Sequence, residues 1–209
     1  MKSGLGFLLR YVLATSLLFS LWSLAAPAYV ASLIPAVNGI NGLLDLPVSL
    51  QWQPGHLLYH FRGPTGAAFR LEALDHGAVY LNLVTMLALL AATPGRDIRW
   101  YGRWMGAACV LLWCTHVFSF VFSGPVALWQ FAATGPAAAA MAAPLAPVIA
   151  AEHAIWYSRV LEFWGIWGRY GLCLALWCVA VMRPQPAAVP ARSSVFSVPV
   201  RWALRSTTG

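Results

Sequence analysis

Four long apolar runs, at about residues 5–34, 76–93, 104–123 and 154–182, leave this chain few ways to fold. Each approaches or exceeds the roughly 20 residues that an α-helix needs to cross a hydrocarbon core of about 30 Å. Only 9% of residues are charged, 60% are hydrophobic and the mean hydropathy is +0.70. That leaves little polar surface with which to solvate an ordinary globule. The expected class is therefore a mainly α membrane protein. It has four transmembrane helices, with a small extracytoplasmic three-stranded β segment between helices 1 and 2.

The first run, with Lys2 and Arg10 near its start, reads as an N-terminal anchor over residues 1–34. Ala25-Ala26-Pro27-Ala28 offers the small residues of a cleavage site, but the length of the run and Pro27 favour an uncleaved anchor. Residues 35–75 change character. Val48, Leu50 and Trp52 alternate with Ser49, Gln51 and Gln53, the period of a strand. Pro54-Gly55 is turn chemistry, His56 to Phe61 forms a second strand, and Phe69, Leu71 and Ala73 alternate with Arg70 and Glu72 in a third. A meander of this size is marginal alone and must lean on the helices or on a partner.

Residues 76–182 hold the other three spans. Thr93-Pro94-Gly95 ends the second span and Gly124-Pro125 stops the third. The Ala/Pro-rich outer loop 125–153 reads as a re-entrant or surface-lying helical pair, and residues 183–209 as a basic cytoplasmic tail. Lys2, Arg10, Arg96, Arg99, Arg103, Arg183, Arg192, Arg201 and Arg205 then share one side, with Arg62 and Arg70 opposite. The positive-inside rule places both termini in the cytoplasm. The net charge of +7 orients spans on this reading, and no nucleic-acid partner is expected.

Glu162 and Arg169 lie inside the fourth run, just after Arg159. A charge at bilayer depth costs about 2.5–3.5 kcal/mol on insertion scales and persists where it faces protein or a cavity. Their seven-residue spacing puts both on one helix face, each seeking a group on another helix. Trp164 and Trp167 run beside them, and Gly165 and Gly168 permit close helix approach. These seven residues are the candidate partner-binding set.

His76, His116 and His153 gather with Asp75 and Glu152 near the outer boundary. They are weak candidates for a metal or a b-type haem. Helix capping and interfacial anchoring account for all but His116, the deepest, so no cofactor is assigned. Cys114 and His116 point roughly 200° apart on one helix and cannot pair as nucleophile and base. Cys109, Cys114, Cys173 and Cys178 read as small buried apolar residues, without zinc spacing. No catalytic residue is assigned.

Pro47, the Gly55-His56-Leu57-Leu58 turn, Gly77, Tyr80, and Leu87 to Ala92 followed by Thr93-Pro94-Gly95 give the chain a family likeness over about residues 5–125. It resembles the small integral membrane proteins associated with exosortases, in particular the exosortase-H-associated type. The resemblance implies a bacterial inner-membrane accessory protein for the sorting or processing of exported proteins. The expected partners are membrane lipid, a membrane protein such as an exosortase, and an exported client. The alternatives are a subunit of a cofactor-bearing redox or photosynthetic complex, and an intramembrane thiol or metal enzyme.

Overall fold

The computed structural model describes residues 2–53, 56–63, 68–73, 76–145 and 151–182; the side chains at 2, 3, 76–80, 151–154, 166 and 169 are outside the description. The described chain is mostly helical around one small sheet. Helix α1 (Lys2–Leu43) leads to strands β1 (Val48–Gln53), β2 (His56–Arg62) and β3 (Ala68–Glu72). Then come α2 (His76–Ala92), α3 (Ile98–Ala132), α4 (Pro136–Ala142) and a 3-10 turn (Ala143–Leu145). The described part of the chain closes with α5 (Ala151–Phe163), a π-helical turn (Trp164–Gly168) and α6 (Arg169–Met182).

The strands form an antiparallel meander in the order β1-β2-β3, with Leu50 opposite Tyr59 and Tyr59 opposite Leu71. The alternation read from the sequence thus gives the strands their places.

Among the described residues two helices, Gly4–Leu43 and Ile98–Ala132, are long and apolar enough to cross a membrane. Both overrun the boundaries expected of them. Helix α1 continues through Pro27 and Pro35 to Leu43, so residues 35–43 are helix rather than part of the β segment. Helix α3 passes Gly124-Pro125, taken above as a stop, and ends only at Ala132. A proline inside a helix costs about 3 kcal/mol in isolation. Here burial of the overrunning turns against the sheet offsets it. Val30, Leu33 and Val37 of α1 and Val117, Phe120, Val121, Ala127 and Leu128 of α3 share one core with Leu50, Leu57, Tyr59 and Phe61. Gly124 leaves room beneath Tyr59 and Val48, both 3.4 Å from where its Cβ would stand. Tyr59 Oη donates to the Phe120 carbonyl at 2.9 Å and contacts Ser123 Oγ, adding polar contacts at the turn that Pro125 weakens. The Ala/Pro-rich segment supplies the rest of α3 and the short α4, whose Ala142, with Leu145, joins the same core.

A second core lies toward the arginine-rich connection between α2 and α3. It contains Leu83, Met86 and Leu90 of α2, Trp100, Ala108 and Leu112 of α3, and Cys173 and Ala180 of α6. Arg96 Nη2 donates to Val181 O at 2.6 Å, and Trp100 Nε1 to Ala180 O at 3.3 Å. These carbonyls belong to the last described turn of α6. Phe7 packs against Trp177, so the start of α1 and the end of α6 share this basic end. The sheet occupies the other end.

Candidate functional site

His116 sits where the two cores meet, only 1% exposed. Tyr29 of α1 contacts its Nδ1 at 2.5 Å, and Asn82 Oδ1 of α2 lies 2.9 Å from its Nε2. An amide oxygen only accepts, so Nε2 donates to Asn82, and Nδ1 shares a second hydrogen bond with the Tyr29 hydroxyl. The imidazole is satisfied on both sides, as a buried polar group must be. Cys173 of α6 donates through Sγ to the Asn82 carbonyl at 3.5 Å. One polar chain therefore links α1, α3, α2 and α6 through an otherwise apolar interior. Tyr29 also meets the edge of Trp22, and both rings pack against both cores. A metal or haem at His116 would have to displace Tyr29 or Asn82. Among the described residues no three of His, Cys, Asp and Glu are grouped to hold a metal ion. The side chains of His76 and His153, the other weak metal candidates, lie outside the described residues, as do those of Asp75 and Glu152.

Cys114 does not meet His116. It is exposed and lines an apolar groove of about 850 Å³ between α1 and α3, with Pro35, Ile40, Leu43 and Trp113 among its walls. His116 faces the opposite way, into the bundle, as the two-residue spacing on a helix requires.

The partner-binding candidates lie on α5, the π turn and α6. Arg159 and Glu162 are exposed, and so are Phe163 (64%), Trp167 (66%) and Tyr170 (58%). Among the described residues nothing lies within 4 Å of the missing Cβ of Gly165, which leaves an open notch on this helix. Gly168 is different. A Cβ there would come within 2.1 Å of the Trp164 ring, so its lack of a side chain is used by its own helix. The π turn also corrects the expected geometry. Its wide i→i+5 winding puts roughly one extra residue between Glu162 and Arg169, so a seven-residue spacing no longer returns to one face. The Arg169 side chain itself lies outside the described residues.

Asn38, Asn41, Tyr29 and Asn82 are the polar side chains that the sequence reading passed over. Asn38 and Asn41 reach from α1 to the backbone of β1, and Asn82 holds His116. Their signal was available: amides inside apolar helical runs need partners. No family model, curated protein or solved structure matches the chain.

Proposed function

We propose that this chain is a non-enzymatic accessory subunit of a bacterial inner membrane. It crosses the bilayer four times and binds a membrane protein partner in exosortase-linked protein sorting or envelope processing. The spans are α1, α2, α3 and the α5–α6 pair. The 17 residues of α2 rise about 26 Å, close to the hydrocarbon thickness. The basic end, with Arg96, Arg99 and Arg103, faces the cytoplasm, and the sheet stands outside.

The observation that carries this reading is the exposed carboxylate of Glu162 beside the exposed rings of Phe163 and Trp167. Lipid tails satisfy the rings but not the acid. A partner helix carrying a donor satisfies both, with Trp164, the Gly165 notch and the π turn shaping the contact. Arg159, exposed on α5, extends the polar contacts.

The test is co-purification of the tagged chain in mild detergent, with mass spectrometry and a visible spectrum of the same sample. The expected result is a colourless complex with a membrane peptidase or sorting enzyme. Glu162→Gln and Trp167→Ala should each weaken it about tenfold at unchanged abundance. Undiminished recovery in both variants overturns the reading. A coloured complex moves the assignment to the cofactor-bearing alternative.

A further inference from the structure

The two edges of the sheet end differently. Arg62 N donates to Pro47 O, so the close β1–β2 bonds fall at Ser49 and Gln51, while Val48 and Leu50 turn their backbone groups outward. Helix α1 takes three of those four groups. Asn38 Oδ1 accepts from Leu50 N at 2.6 Å, Asn38 Nδ2 donates to Leu50 O at 3.0 Å, and Asn41 Nδ2 donates to Val48 O at 3.1 Å. On the far side, Ala73 N donates to Leu57 O at 2.7 Å, so Phe69, Leu71 and Ala73 bond inward to β2. Ala68, Arg70 and Glu72 therefore turn their N–H and C=O groups away from the sheet. Among the described residues nothing bonds to them, and β3 has no strand beyond it.

Beside this open edge stand two exposed arginines, Arg70 on β3 and Arg62 on the neighbouring β2, with Glu72 at the end of β3. Arg70 lies opposite His60, and Arg62 is a diagonal neighbour across from Ala68. Neither arginine has an anionic partner among the described residues, whereas Glu72 is occupied by His56 at 3.1 Å. The connecting sequence 63–67 contains no acid.

We propose that the open edge of β3 takes an extended, acidic segment of a partner protein as a fourth strand. Backbone bonds to Ala68, Arg70 and Glu72 set its register, and its acidic side chains lie beside Arg70 and Arg62. Its alternate, apolar side chains cover the half-buried flanks of Phe69 and Leu71. Unpaired edges are a hazard that proteins normally close; among the described residues side chains of α1 bond to the β1 edge and none bonds to the β3 edge. The proposal rests on the reading that the sheet end faces a client, but not on the α5–α6 contact, so purified protein tests it separately. An anionic lipid headgroup would also meet the arginines, but it offers no strand to the backbone.

The test uses the full chain in neutral phosphatidylcholine nanodiscs. Binding of fluorescein-labelled acetyl-TVEVEVT is compared with that of its lysine counterpart acetyl-TVKVKVT and of an acidic version N-methylated at alternate amides. The acidic peptide should bind saturably, and each comparison peptide about tenfold more weakly. Ala68→Pro removes an outward N–H while leaving Arg70 and the β2 ladder in place, and should cost a similar factor. Equal binding of the N-methylated peptide, or no saturable binding, overturns the proposal. So does retention by phosphatidylglycerol vesicles without any peptide discrimination. The N-methylated peptide makes the comparison on unaltered protein, should Ala68→Pro fail to fold.

Discussion

At the sheet end, segments far apart in sequence are held by burial. Tyr59 and Phe61 are fully enclosed between α1 and α3, and Asn38 and Asn41 fasten the strand edge to the helix. At the basic end the fastening is by long side chains that close helix termini. Arg96 and Trp100 reach carbonyls of the last described turn of α6, Tyr101 Oη donates to Thr93 O at 2.5 Å, and Trp177 Nε1 to Thr93 Oγ1 at 3.0 Å. The first arrangement packs one face of a small sheet onto two long helices. The second finishes a helix bundle. His116, Tyr29 and Asn82 form the joint between them.

The sharpest way to break this comparison is to remove a ring from one end only. Phe61→Ala empties a site stacked on Phe69 and 0% exposed, and should cost about 3–5 kcal/mol. Hydrogen exchange followed by mass spectrometry in detergent should then show rapid exchange in β1–β3 with continued protection around Ala92 and Ala180. Equal loss at both ends would make the molecule a single cooperative unit.

A smaller effect is expected at the joint. His116→Leu leaves the Tyr29 hydroxyl and the Asn82 amide oxygen buried without this partner, at a cost of about 1–3 kcal/mol. Adding Tyr29→Phe should recover part of that loss, and thermal unfolding of the single and double variants measures the coupling. Strict additivity would mean that the contact contributes nothing.

The smallest effect belongs to the sealed strand edge. Asn38→Leu removes two bonds to Leu50, with an expected loss of about 1–2 kcal/mol. It also opens the β1 edge to pairing with other chains, which light scattering after size exclusion would register as larger species. A monodisperse variant of unchanged stability would show that the amide does not guard the edge.

Much of this architecture was legible. Alternation in Val48–Gln53 and Ala68–Glu72 marked the strands because side chains on a half-buried sheet must alternate. His116 stood out because an imidazole in an apolar helix needs partners, and it has them. The overruns of α1 and α3 were not legible. Pro35 and Gly124-Pro125 are local stop signals, and only the buried contacts of Val37 and Leu128 outweigh them. The relation of Glu162 to Arg169 was misread for a similar reason, since spacing assumes 3.6 residues per turn and the π turn does not keep it.

The sequence by itself determined the segments: apolar runs of helical length, three short alternating strands and arginines gathered between runs. Those follow from local periodicity and from the cost of burying charge, which each segment carries within itself. Only the tertiary structure decided where the helices end, which polar side chains meet, and which edge of the sheet stays open. Those outcomes depend on contacts between residues tens of positions apart, as with Tyr29 and His116, and no local pattern encodes such a contact.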